Sequence, residues 1–232
     1  MIIDGISVAV TRKNIKRVNI SVRPPNGDVS MSVPYSTSVE DIERVFRTKI
    51  GWVRDKQALY ADRPKMMKRQ YVYGETLYLW GKAYELQVFR WSRNSVQVRD
   101  GKVMMTVRSD TTVESRERQI REWYRRLLSA EIDRLLPKWE AMTGISCNSW
   151  QTRKMTTRWG TCNITERKIW FSLQLVKRPI ECLEFIIVHE LTHLVHKEHG
   201  VEFDALVEKH MPNWRDYNAM LSTPLNDDWV EG

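Results

Sequence analysis

Residues 187–203, I-V-H-E-L-T-H-L-V-H-K-E-H-G-V-E-F, constrain this chain more than any other stretch. All five histidines lie between His189 and His210, and H-E-x-x-H sits inside that window as His189, Glu190 and His193. On a helix, positions i and i+4 stack on one face, so the two imidazoles point at one spot. Glu190 is turned from His189 by about 100°, which puts its carboxylate beside that spot and not on it. Two imidazoles with such a neighbour suit a zinc ion and a base that takes a proton from its bound water. Residues 183–188, just ahead, are apolar except for Glu184, so the helix is expected to be buried where the histidines begin. Buried imidazoles need partners, and a metal supplies them.

His196 and His199 compete for a third ligand position. Helical periodicity favours His196, but on an unbroken helix it stands about 10.5 Å along the axis from His189, too far for one ion with bonds of roughly 2 Å. Gly200 suggests a left-handed helix cap, and a chain turning there swings His199 back to the other two. The reading favours His199, with Glu202 or Glu208 as weaker carboxylate alternatives. The spacing of His189, His193 and His199 equals that of metzincins, but His196 stands where their glycine would, and no Met-turn follows.

Several further motifs occur in order: R-K-M-T-T-R-W-G-T-C at 153–162, then I-W-F-S-L, H-E-L-T-H, H-G-x-x-F and M-P-N-W. Together they resemble the YgjP-like metallopeptidases, relatives of the SprT and WLM zincins, over roughly residues 21–221. The resemblance implies a zinc-dependent peptidase, with His189, His193 and His199 holding Zn2+ and Glu190 activating the zinc-bound water. It includes Arg158 in its motif, a candidate contact for a substrate carboxylate or a developing oxyanion. It implies too that the strand at 169–174 lines the cleft and pairs with an extended peptide. Ser172, where an asparagine is expected, and Thr192, inside H-E-x-x-H, depart from the pattern without touching a ligand. Cys162 is read as a small packed residue and not as a ligand.

The chain of 232 residues reads as α+β, a β-rich N-terminal portion followed by a zincin-like catalytic portion. Three portions are expected: 1–110, β-rich with one helix; 111–144, a connecting helix; and 145–232, the metallopeptidase portion. In the first, alternating runs at 2–10, 18–23 and 29–33 suggest an antiparallel meander with a tight hairpin at Asn26-Gly27. A helix is expected from Ser38 to about Ala61, then strands at 76–80, 84–89, 96–99 and 103–107, with turns at Gly81-Lys82 and Asp100-Gly101. The next helix, from about Thr112 to Met142, carries Pro137 and should kink or break there. Phe203 and Trp214 are read as packing that fixes the ligand-bearing turn, and the tail from Thr223 as a mobile end.

Ten tryptophans and 42% hydrophobic residues describe a folded chain. No apolar run approaches a membrane span, and the N-terminus lacks a signal peptide's basic and apolar regions. Three cysteines without a C-x-x-C fit a reducing cytoplasm. Net charge is +8, and residues 1–140 hold 27 Lys+Arg against 17 Asp+Glu. That surplus leaves nucleic acid open as a partner besides a peptide or protein substrate, although a solvated surface is the plainer reading. Two alternatives to peptide cleavage remain: hydrolysis of a nucleotide phosphoanhydride, and an SprT-like nucleic-acid-associated protease.

Overall fold

A computed structural model describes residues 1–23, 26–61, 69–155 and 157–223. The mobile end expected beyond Thr223 and most of the basic connection at 65–69 lie outside them. The chain divides into two compact units, 1–68 and 69–231. The division does not follow the portions expected from composition. The second β-rich stretch and the long helix share one continuous core with the H-E-x-x-H portion.

In the first unit, strands β1 (Ile2–Ile3), β2 (Ile6–Lys13), β3 (Asn19–Arg23) and β4 (Asp28–Pro34) form a sheet of order β1-β2-β4-β3. It is not a meander, because β2 and β4 run parallel, with Val8 opposite Val29 and Val10 opposite Met31. Alternation in β4 buries Val29, Met31 and Val33. They meet Ile42, Phe46 and Val53 from helices α1 (Val39–Thr48) and α2 (Ile50–Ala61). The single helix expected here is two, interrupted at Lys49. Ser38 caps α1 by accepting from the Asp41 amide.

The second unit repeats that plan. Strands β5 (Thr76–Leu79), β6 (Lys82–Arg90), β7 (Ser95–Arg99) and β8 (Lys102–Val107) take the order β5-β6-β8-β7, again with a parallel central pair. Helix α3 (Val113–Thr143) follows, capped by Thr112 as α1 is by Ser38. Sequence follows topology: Gly27, Val29, Met31, Val33, Val39, Glu40, Glu43 and Arg44 recur as Gly101, Val103, Met105, Val107, Val113, Glu114, Glu117 and Arg118. Helix α3 runs through Pro137 instead of ending there and buries Ile120, Trp123, Tyr124, Leu128 and Ile132.

Beyond α3, strands β9 (Ser149–Arg153), β10 (Gly160–Asn163) and β11 (Lys168–Ser172) form a sheet of order β10-β11-β9. A 3-10 helix, Leu173–Lys177, and helices α4 (Ile180–His193), α5 (Val201–His210) and α6 (Trp214–Ser222) complete the unit. Glu184, the one acid in the apolar run, accepts from Lys138 Nζ at 2.9 Å and Trp139 Nε1 at 2.8 Å, which ties α4 to α3.

The β5–β6 turn is Trp80-Gly81, one residue earlier than expected. Both residues have positive φ, 48° and 78°, as a two-residue type I′ hairpin requires. Its amides reach the carbonyls of Val176 and Lys177, which seats the hairpin tip immediately before α4. A Cβ at Gly81 would lie 2.9 Å from Pro179 Cγ and 3.2 Å from its backbone N, whereas one at Gly101, also at positive φ, meets nothing within 4 Å. Gly101→Ala should therefore cost about 1–2 kcal/mol for backbone strain, and Gly81→Ala about 1–3 kcal/mol more for the clash. Urea unfolding of the two variants beside wild type measures the difference.

Candidate metal centre

Helix α4 is buried over nearly its whole length and ends at His193, six residues before the position expected from Gly200. The amides of Leu194, Val195 and His196 fold back onto the carbonyls of Leu191 and Thr192. Gly200 is extended, with φ −170° and ψ −174°, and starts α5 instead of capping α4 in a left-handed turn. The chain thus leaves the helix at once after the second histidine, and six residues bring His199 back to the first two.

The three imidazoles meet. His189 Nε2 lies 3.1 Å from His193 Nε2 and 3.3 Å from His199 Nε2. All three candidate ligand atoms lie within 4.8 Å of one another. Tetrahedral geometry with Zn–N bonds of about 2.0–2.1 Å separates ligand nitrogens by about 3.3 Å, so the donor set fits such an ion. His193 Nδ1 lies 3.2 Å from the His196 carbonyl, a bond that places its proton there and leaves the Nε2 lone pair free. Phe203 packs against all three rings from one side, its centroid 5.0, 4.6 and 4.8 Å from those of His189, His193 and His199. Trp214 stacks on Phe185, which in turn edges His189. Burial and the neighbouring imidazoles press the His189 pKa down to about 3, so the ring is neutral, as a ligand must be.

The alternative third ligands are occupied elsewhere. His196 Nδ1 lies 3.5 Å from a Glu202 carboxylate oxygen, and Glu208 accepts from Arg215 at 2.8 Å. Thr192 bonds back to the Val188 carbonyl at 2.8 Å, which satisfies its buried hydroxyl within the helix. The Ser172 hydroxyl reaches the Met155 carbonyl and the Gln174 amide.

Glu190 is 3% exposed, and among the described residues its Oε2 has no hydrogen-bond partner. Burial pushes its pKa up to about 8, against the opposing pull of Arg158 and the Cys162 thiol. The carboxylate rests on β10. A Cβ on Gly160 would lie 2.4 Å from Glu190 Oε1 and 2.8 Å from its Cδ and Cγ, so only glycine leaves room for it. Cys162, two residues along and on the same strand face, has its thiol pushed up to about 11 by burial and by Glu190, and stays neutral. Neither Gly160 nor Cys162 stood out in the sequence as a neighbour of the base.

Around these groups lies a cavity of about 560 Å³, lined by Arg158, residues 159–162 and Lys197 among others. The cleft strand is not the one expected. Strand β11 is paired on both sides, with β9 parallel and β10 antiparallel, so it offers no edge to a peptide. Among the described residues the edge beside Glu190 belongs to β10.

A family model described as YgjP-like, metallopeptidase domain matches residues 16–223. The chain belongs to the YgjP-like family. Its metallopeptidase domain therefore includes most of both compact units. Among solved structures, the metallopeptidase zymogen abylysin of Pyrococcus abyssi matches at 20% identity, covering 43% of this chain and 99% of its own, with a TM-score of 0.38. The zymogen jannalysin of Methanocaldococcus jannaschii matches at 18% identity, covering 39% and 93%, with a TM-score of 0.35. No curated protein matches. Among the described residues, no helix is long and apolar enough to cross a membrane.

The geometry predicts about one bound metal per chain. Elemental analysis should find it in wild type and in His196→Ala, and should find it lost in His199→Ala. Metal retained without His199 would break the three-imidazole assignment.

Proposed function

We propose that the protein is a zinc-dependent peptidase in which His189, His193 and His199 hold the ion and Glu190 is the general base. The observation that carries this reading is the convergence of three imidazole nitrogens beside a buried carboxylate whose Oε2 lacks a partner. Three nitrogen donors suit four-coordinate zinc with its fourth position open to substrate. When bound, the ion lowers the pKa of its water towards neutrality and polarises the scissile carbonyl. Glu190 takes the proton of the attacking water on a carboxylate oxygen and returns it to the leaving nitrogen. Burial of Glu190, which is 3% exposed, limits the competition of bulk water for those protons.

The substrate backbone lies along the free edge of β10, where main-chain groups pair with an extended peptide and side chains alternate between the cavity and solvent. Arg158, immediately before that strand, contacts substrate oxygen. Cys147, Cys162 and Cys182 are free thiols, in keeping with work in a reducing cytoplasm. A second reading, cleavage of a nucleotide phosphoanhydride, draws support from the two cations lining the cavity, Arg158 and Lys197. Parallel assays with unfolded proteins and with nucleoside triphosphates separate the two readings.

Two substitutions test the base. Glu190→Gln should keep the metal and lower kcat by about 10²–10⁴-fold. Gly160→Ala should do much the same by a different route, because the atom that must yield is the carboxylate and not the backbone. Full hydrolysis by zinc-loaded Glu190→Gln would remove Glu190 from its role.

A further inference from the structure

Most cations near the centre spend their charge within the protein. Arg153 and Lys168 lie over the Trp170 ring, at 5.1 and 5.2 Å from its centroid. Arg167 donates to the Ser146 carbonyl at 3.0 Å. Arg178 donates to the carbonyls of Met220 and Thr223 and lies over Trp159. Arg215 pairs with Glu208.

Arg158 and Lys197 differ. Both line the cavity, both are exposed, and among the described residues neither forms a salt bridge or a hydrogen bond through its side chain. They come from different elements. Arg158 stands just before β10, next to the strand that seats Glu190. Lys197 lies in the turn between α4 and α5, two residues before His199. Among the described residues, the only acidic side chain lining the cavity is Glu190, and it is buried. A bound chain therefore meets two solvent-facing positive charges on the cavity wall, of which Arg158 also attracts the buried Glu190. Exposed cations without a hydrogen-bond partner among the described residues remain hydrated and gain by meeting an anion as the cleft fills.

We propose that the cavity selects peptides that present a carboxylate close to the scissile bond, held by Arg158 and Lys197. This rests on the peptidase reading and adds a substrate class to it. The carboxylate has two sources, an Asp or Glu side chain flanking the bond or the free C-terminus of a short peptide, and both offer the same two oxygens. Arg158 presents a planar fork that takes them in a bidentate grip, whereas Lys197 acts as a point charge. Peptides with Lys or Arg at the same positions are disfavoured by like charge.

Matched peptides that differ only by Glu against Gln on either side of the cleaved bond, or by a free acid against an amide at the C-terminus, form the test. Wild type should show kcat/KM about tenfold higher for the carboxylate member of one pair. The pair that responds names the source. In Arg158→Gln and in Lys197→Gln that ratio should fall towards one, with metal content unchanged.

Equilibrium binding of the same peptides to the metal-free protein, read by fluorescence anisotropy, supplies a measure independent of turnover. There the carboxylate peptide should bind more tightly than its neutral partner, and the difference should fade in about 0.5 M salt. A binding preference without any cleavage would uphold the carboxylate site and sink the peptidase reading. Cleavage with equal rates for all pairs would uphold the peptidase and overturn the carboxylate site. A ratio unmoved by both substitutions would also overturn it.

Discussion

Three imidazole nitrogens lie within 4.8 Å of one another, and the chain must hold three rings in that small space. Packing supplies the restraint. Phe203 touches all three imidazoles, and the His196 carbonyl fixes the tautomer of His193. Helix α4 is buried, so its two histidines cannot turn away without opening the core. Its abrupt end then matters as much as its burial, since one more helical turn would carry the third histidine up the axis.

The same economy of space governs Glu190. A glutamate lying against a strand normally meets Cβ atoms on that strand face, and here Gly160 removes the one in its way. Strand β10 thus serves twice, as a wall that fixes the carboxylate and as an edge open to the cleft. The support reaches further back, through the Trp80-Gly81 tip that bonds to the carbonyls of Val176 and Lys177 ahead of α4. The repeated sheet-and-helix plan is used differently in its two copies. In the second unit the first hairpin docks on the element leading into α4, and the following helix is continuous. In the first unit the matching turn at Asp4-Gly5 has open space where a Cβ on Gly5 would stand, and the helix is broken at Lys49.

Much of this was legible in the sequence, for reasons that differ by element. H-E-x-x-H is a local, helical pattern, and its two histidines and glutamate fall where periodicity puts them. Strand and helix positions followed from alternation and from the apolar stripe of residues 120–139. A left-handed cap at Gly200 was expected to turn His199 back, whereas the turn comes from the early end of α4, where Leu194 and Phe203 are buried, and that leaves no mark in periodicity. The meander failed for a related reason: alternation reports which face of a strand is buried, not which strand is its neighbour. The repeat of Gly27 to Arg44 in Gly101 to Arg118 was there to be read and needed only a comparison of the chain with itself. Gly160 carried a signal too, but a glycine after tryptophan reads as a turn until the structure shows what lies against it.

Charge shows where counting misleads. The net surplus sits in the N-terminal part of the chain, where it leaves nucleic acid open as a partner although a solvated surface is the plainer reading. Exposed charges act over about one Debye length, roughly 8–10 Å at physiological salt, so a distant surplus hardly changes the potential inside a cleft. What a bound substrate feels is set by the few groups within that radius. Lining this cavity are one buried glutamate, three imidazoles, of which burial lowers the pKa of His189 and His193, and two exposed cations, Arg158 and Lys197. The catalytic part carries a slight excess of acids in its composition, yet its cavity has the opposite sign. The cavity is positive because of how β10 and the α4–α5 turn place Arg158 and Lys197, and for no reason that a sum over residues could reveal.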